Sequence, residues 1–552
     1  MHRNWRLGLA LCWMSLSYAQ LSEKPQTWTS LEGHYSGDAH EDSVLLFVDE
    51  CQAAIAAGQA GGAVHMEAEP ARRLGYQALS ADNWNAAARL LPRVLAVYRG
   101  MTLGEWMEVA ASLQFQVDRR IVAPGVTIHV RLEPRFTLDR ALKSAYRVHV
   151  ALLDAQGKVV VERPPEPVLA LEAMEFSLRT SGLPTGEYRA RYQLLDADGK
   201  VRAWAQRRVL LNADVQKRVR VLTEQARKLA ASGVGMKGPA QALAVQTVQF
   251  TANLYSRSMD GPGLGFLDNA VPLAFVLADL QAPRYQTDPI NPERDLPAAE
   301  WMAEELLAGR NPLAEKKGDF RLAYRSAQDQ SLQPFRLFLP PGYDAAKKWP
   351  LVVALHDSGG DEGSYFQQYR GQDGSSLLLK LAAERGYVVA APYGRGPMSY
   401  YAKAARRDVL DVIENVRSAA AIDETQIFLM GHGMGAAGVL TVPMGQPKLF
   451  RGLLAVSGTP LEALDYSQTP DIPLLFLQAE KDGRTSLTEV RRLAFVLQRR
   501  YKQFDYIELA GQDHESIGVA SLTSAVDYFD AVRAGKWKPS GKAIPLPRYS
   551  GN

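Results

Sequence analysis

The spacing of apolar residues changes character several times along the chain, and each change marks a different kind of element. From about Glu41 to Leu113 apolar residues recur at three and four positions, as in Asn83 to Tyr98, which predicts helices separated by breaks at Gly58 to Gly62 and at Gly100. The period then shortens to two. Val126, Ile128, Val130 and Leu132 alternate with Thr127, His129 and Arg131, while Tyr146, Val148, Val150 and Leu152 alternate with Arg147, His149 and Ala151. Such alternation puts one face in a core and one in water. Further strand-like runs at Leu113 to Val117, Lys158 to Glu162, Met174 to Leu178, Tyr188 to Leu194 and Val201 to Leu211 are broken by the turn sequences Asp154-Ala155-Gln156-Gly157 and Asp196-Ala197-Asp198-Gly199.

Short strands at this spacing predict an immunoglobulin-like β-sandwich over residues 113–212, following a helical region over 20–112. His129 and His149 fall on its polar faces and are expected to face solvent rather than pair on a metal. Helical patterning returns over 213–318, with long helices expected at Ala213 to Ala231 and Ala240 to Ser258. A shorter one, Leu296 to Leu307, is capped by Asp295, carries Pro297 in its first turn and stops at Gly309, and the Pro-rich stretch Gln281 to Arg294 reads as a loop.

From Phe320 the pattern changes again. Phe320, Leu322 and Tyr324 alternate in one strand and Phe335, Leu337 and Leu339 in another, joined by the polar turn Ala327 to Gln330. Beyond them come continuous apolar runs, Leu351 to Leu355, Val388 to Ala391, Ile427 to Met430, Leu453 to Val456 and Leu474 to Leu477, with helical segments between most of them. Strands buried on both faces and alternating with helices mean βαβ units and a mostly parallel sheet, with ligands held beyond the carboxyl ends of the strands. The fold class is therefore α/β over 319–536, with a tail at 537–552.

Composition narrows the function classes. Apolar residues at 47%, charged residues at 22% and a formal net charge of +3 are ordinary for a globular chain of 552 residues, which is long enough for several cores. Lys and Arg are scattered among acids, so no basic stripe points to nucleic acid. Arg3 and Arg6, the apolar run Leu7 to Leu16 and Ser17-Tyr18-Ala19 read as a secretory signal peptide over residues 1–19, which implies an exported, periplasmic or extracellular protein. Cys12 lies within that leader, so Cys51 is left without an internal partner and reads as a buried, inert thiol. No other run is long and apolar enough to span a membrane. Neither a metal nor a cofactor is expected, and the sequence is silent on oligomeric state.

Four segments at the strand ends carry the chemistry: Leu339-Pro340-Pro341-Gly342-Tyr343 with Trp349 to His356, then Ile422 to His432 leading into Gly431-His432-Gly433-Met434-Gly435, then Gln478 to Gly483, then Ala510 to His514. Together they resemble the α/β-hydrolase serine enzymes, in particular exported esterases of the poly(3-hydroxybutyrate) depolymerase and feruloyl esterase type, and prolyl-oligopeptidase-like peptidases. The resemblance implies a nucleophile elbow at 431–435, a triad acid at Asp482, a base at His514, and an oxyanion hole from the backbone N–H groups of Ser358 and Met434. Two departures stand against it. Gly433 occupies the nucleophile position and brings no hydroxyl, and Asp357 sits where the family has a glycine-rich oxyanion loop, so that an inward-facing carboxylate would oppose a developing negative charge. His432 is expected to point away from the site as a packing residue.

Three readings follow. The domain is a pseudo-hydrolase that binds a small-molecule ester, acyl or peptide-like ligand without forming an acyl-enzyme. Alternatively, His514 and Asp482 activate a water or a displaced hydroxyl such as Ser358, Ser457 or Tyr400. In the third, the β-sandwich carries a surface binding or assembly role and the hydrolase unit is its scaffold.

Overall fold

The computed structural model describes residues 62–134, 144–168, 172–260, 290–460 and 471–545, apart from 82, 101–103, 315, 316, 397 and 447, together with 142 and a few positions between 44 and 55. The leader expected over residues 1–19 and the loop stretch 281–289 lie outside the described residues. The chain divides into two compact units, Met1–Thr223 with Ala252–Pro292, and Glu224–Thr251 with Glu293–Asn552. The division falls inside the helices Ala213–Ser232 and Pro239–Asp260.

In the first unit, helices Gly62–Ser80, Trp84–Tyr98 and Glu105–Ser112 precede eight strands. These are β1 (Leu113–Val117), β2 (Ile121–Val122), β3 (Ile128–Pro134), β4 (Arg147–Asp154), β5 (Val159–Pro167), β6 (Met174–Leu178), β7 (Gly186–Leu195) and β8 (Val201–Leu211). They form two sheets, ordered β1-β3-β6 and β2-β8-β7-β4-β5, in which β2 and β8 run parallel and every other pair antiparallel. Phe115, Val130 and Phe176 from one sheet share a core with Val150, Tyr192 and Ala205 from the other and with Leu91 and Val94 of the helices, and Cys51 is buried in the same core. Near the start of β7 the Tyr188 hydroxyl donates to the Pro184 carbonyl at 2.9 Å, pinning the chain as it turns into the strand. His129 and His149 lie in different sheets. One meets Ser177 and the other sits between Gln193 and Glu162, so they do not form a pair.

The second unit holds an eight-stranded sheet built from β9 (Gly318–Arg325), β10 (Leu332–Leu339), β11 (Trp349–Leu355), β12 (Val388–Pro392), β13 (Ile422–His432), β14 (Gly452–Val456), β15 (Leu474–Ala479) and β16 (Phe504–Leu509). Its order is β16-β15-β14-β13-β11-β12-β10-β9. The hairpin β9/β10 is antiparallel and β10 is antiparallel to β12, whereas all strands from β12 to β16 pair in parallel. Val352, Met430, Leu454 and Leu477 of the sheet pack with Leu381 of the helix Leu377–Arg385 and with Leu522 and Phe529 of the helix His514–Arg533. Burial on this scale is why the central strands contain almost no polar side chains.

One helix differs from expectation. It runs Pro292–Leu307, so Asp295 lies within its first turn rather than capping it, and Pro297 falls one turn further in. Pro292 supplies the fixed φ suited to a first helical position, and the buried Asp295 carboxylate is drawn instead to Arg294 and to Arg321 on β9.

Replacing Tyr188 by Phe removes the hydroxyl bond while keeping the ring. The unfolding free energy should fall by about 1 kcal/mol, seen as a lower urea midpoint with unchanged slope.

Candidate active site

The site grows from the junction between β13 and the helix Met434–Thr441. Gly433 makes the junction with φ 52° and ψ −113°, a conformation that L side chains rarely adopt and that glycine takes without steric cost. The flanking glycines serve close approach. A Cβ on Gly431 would overlap the Gly435 backbone, and one on Gly435 would overlap the Leu355 carbonyl at the end of β11. Strand, bend and helix are thus pressed together with main chain against main chain, which aims position 433 out of the sheet.

What position 433 meets is the side chain of Asp357. A Cβ built on Gly433 would overlap Asp357 Oδ1 and Cγ, so the carboxylate fills the volume a nucleophile side chain would need. Asp357 Oδ1 accepts from the backbone N–H of Met434 at 2.9 Å and from that of Ser358 at 2.6 Å. These are the two donors expected to form the oxyanion hole, and the structure brings them together on one oxygen. The acid expected to oppose a charge there supplies that charge itself.

The other oxygen, Asp357 Oδ2, lies 3.0 Å from His514 Nε2, while His514 Nδ1 lies 3.0 Å from both oxygens of Asp482. Asp482 is further fixed by the backbone N–H groups of Arg484 at 2.9 Å and Thr485 at 2.8 Å and by Gln478 Nε2 at 3.0 Å. The two ring nitrogens of His514 face only carboxylates, which accept, so both must donate and the ring is an imidazolium. Burial by itself would lower the His514 pKa. The Asp357 charge and hydrogen bond, with those of Asp482, overcome burial and raise it to about 10. The carboxyls move the opposite way. Burial would raise Asp357, but the charge of His514 and the hydrogen bonds from His514 and the Met434 N–H hold it well below the usual carboxylate range. Burial would likewise raise Asp482, yet its bond to His514 and the backbone donors hold it down. Arg484 Nη1, 3.5 Å from Asp357 Oδ2, adds a second cation.

His432 departs from its expected role. Its ring is stacked 4.7 Å from that of His514, and its Nδ1 bonds the Tyr369 hydroxyl at 2.9 Å. The cause is the helix His514–Arg533, which comes close at Gly518, where a Cβ would press on Tyr369 and on His432 Nδ1. Burial lowers the His432 pKa against the pull of Asp357, so this ring is the neutral member of the pair. Its Nε2 is buried without a hydrogen-bond partner.

Of the hydroxyls expected as replacements, Ser457 is engaged elsewhere. Ser457, at φ 46° and fully buried, accepts with its Oγ from the Ala479 N–H at 3.0 Å and ties β14 to β15. Asp357, His432 and His514 each offer a ligand atom within 4.8 Å of the others. The direct bond between Asp357 and His514 and the guanidinium beside it engage the Asp357 carboxylate. The loop carrying Asp357 is held from below. The His356 N–H donates to the Tyr401 hydroxyl at 3.0 Å, His356 Nε2 lies 2.9 Å from the Tyr393 carbonyl, and Glu362 pairs with Arg321 at 2.7 Å.

The His514 shift sets a pH dependence. A histidine whose folded pKa is raised adds stability fully below its unfolded value of 6.5, and that stability is lost as pH rises through about 10. Asp357→Asn removes the anion responsible. Urea unfolding near pH 6 should place the variant about 3 kcal/mol below the wild type, with the gap closing as pH approaches 10. A gap that stays constant across that range would contradict the assignment.

No family model matches the chain, and no curated protein matches it. Solved structures similar to it include the S-formylglutathione hydrolase of Staphylococcus aureus, at 16% identity and TM-score 0.33 over 39% of this chain and 99% of that one. A ferulic acid esterase of Anaeromyces mucronatus is similar at 17% identity and TM-score 0.34, over 40% and 93% of the two chains. The feruloyl esterase module of Clostridium thermocellum, complexed with sinapinate, is similar at 13% identity and TM-score 0.33, over 40% and 88%. The likeness to esterases and related hydrolases thus spans about two fifths of the chain.

Proposed function

We propose that the second unit is a hydrolase-like domain that has given up acyl transfer through serine. One observation carries this reading: a single oxygen of Asp357 takes both backbone donors that a substrate oxyanion would need. Acyl transfer requires a nucleophile at the elbow and a free pair of donors for the tetrahedral intermediate. Gly433 removes the first and Asp357 the second. His514, locked as an imidazolium between two carboxylates, is no general base in this state. The carbonyl subsite of an ester or peptide-like ligand is filled from within, so such a ligand is held by contacts outside that subsite. The leader-like start of the sequence supports an exported protein, and the two-sheet module of the first unit supports a spacing or binding role there.

A serine-directed fluorophosphonate probe is expected to leave the wild type unlabelled. Gly433→Ser alone should also stay unlabelled and inactive on short esters, because its side chain meets the Asp357 carboxylate. The double variant Gly433→Ser with Asp357→Gly restores both the hydroxyl and the free donors, and should exceed the single variant by about 10²-fold in p-nitrophenyl acetate hydrolysis. Labelling of the wild type, or a single variant as active as the double, would overturn the reading.

A further inference from the structure

We propose that Asp357, His432 and His514 bind one divalent transition-metal ion of the zinc class, through two imidazoles and one carboxylate. The proposal rests on the reading above, that the elbow carries no side chain and Asp357 stands in its place. Each of the three residues offers one ligand atom, and these atoms lie within 4.8 Å of one another. Asp357 Oδ2 and His514 Nε2 are 3.0 Å apart, and His432 Nδ1 lies 4.0 Å from the same oxygen. Bonds of about 2.0–2.1 Å place two ligands of one zinc ion roughly 3 to 4 Å apart, so the cluster is close to the size that a bound ion imposes.

Independently of that spacing, His432 is 2% exposed and its Nε2 has no hydrogen-bond partner. With Nδ1 bonded to the Tyr369 hydroxyl at 2.9 Å, this nitrogen is either a buried N–H without an acceptor or a buried lone pair without a donor. Both are costly in a protein interior. A metal ion resolves the second case, because imidazole coordinates through its bare nitrogen while the other N–H donates to the tyrosine oxygen. Metal-binding histidines are held in this manner, with the remaining N–H given to an oxygen that fixes the tautomer. His514 has the same support, since its Nδ1 lies 3.0 Å from both oxygens of Asp482.

The donor set selects the ion. Two imidazoles and one carboxylate suit zinc, cobalt, nickel and copper, whereas calcium and magnesium require mostly oxygen. Asp357 Oδ1 stays with the Ser358 and Met434 N–H groups, so the carboxylate binds through Oδ2 alone. Binding exchanges a proton for the ion. His514 gives up the Nε2 proton that it shares with Asp357, His432 is already neutral and Asp357 already an anion, so one proton leaves for each ion bound. Arg484 opposes the exchange, with Nη1 3.5 Å from Asp357 Oδ2. The same nitrogen lies 3.5 Å from Glu515, which gives the guanidinium a partner outside the cluster.

The test takes the untagged full-length protein, treats it with a chelator and titrates it with cobalt(II), then with zinc(II). One cobalt ion per chain is expected, with visible absorption that zinc abolishes by displacing it. Tyr369→Phe keeps all three ligands but frees the His432 ring, and should weaken cobalt binding about tenfold. His432→Phe and Asp357→Asn each remove a ligand and should weaken it about a hundredfold or more. A readout on the unaltered chain guards against variants that do not fold: pulsed electron resonance of the copper(II)-loaded protein should show two imidazole nitrogens. No stoichiometric binding at micromolar protein, a copper spectrum without two imidazoles, or binding that survives in both ligand variants and so reflects surface sites only, would overturn the proposal. A protein that binds no ion and also resists fluorophosphonate loses this inference and keeps the reading of lost acyl transfer. Fluorophosphonate labelling would remove both.

Discussion

A buried carboxylate must find enough positive character to replace the water it gave up, and the site is arranged around that requirement for Asp357. Stripped of partners in a medium of low polarity, such a charge would cost several kcal/mol. It is met by two backbone dipoles on one oxygen and by an imidazolium and a guanidinium on the other. In a serine enzyme the same groups wait for a charge that exists only briefly. Here the charge is permanent, so groups elsewhere used to lower a barrier stabilise a ground state. This differs from a triad, in which a single acid orients a neutral base, because here a carboxylate lies on each side of the ring.

The scaffold makes that arrangement stiff. The Asp357 loop is fastened through His356 to Tyr393 and Tyr401, and through Glu362 to Arg321, which also holds Asp295 of the helix Pro292–Leu307. Opposite it, the bend at Gly433 is fixed by main-chain contact with β11 and by the bond from its N–H to Val456. Both walls around the carboxylate are thus tied to the sheet, one through the Asp357 loop and one through the bend.

Much of this was legible in the sequence, for physical reasons. Runs such as Leu351 to Leu355 and Leu474 to Leu477 are apolar throughout because both faces of a central parallel strand are covered, and alternation in Val126 to Leu132 marks a sheet with one wet face. The glycines at 431 and 435 marked the tight bend, and Asp482 after β15 and His514 after β16, the latter opening a helix, are residues that the structure brings together. What escaped was local. β16, Phe504–Leu509, is an edge strand with Asp505 and Glu508 in it, so it lacks the continuous apolar run of its neighbours. β2 has two residues, too few for any period. The contact of His432 with His514 depends on a helix more than eighty residues downstream coming close at Gly518, which no local pattern encodes. Asp357 was visible as a conflict with an oxyanion hole, but its direction was not. An acid next to two backbone donors either avoids them or binds them, and only the fold decides which.

The overlap of position 433 with Asp357 makes the two residues mutually exclusive with serine and glycine at the same places, and this shapes how the chain can change over generations. A lineage that holds the present pair cannot place a side chain at the elbow through one replacement, since the acid obstructs it. The acid has to go first, and a chain without it leaves His514 with Asp482 as its one carboxylate partner among the described residues. Two residues separated by more than seventy positions in sequence therefore behave as a single heritable character.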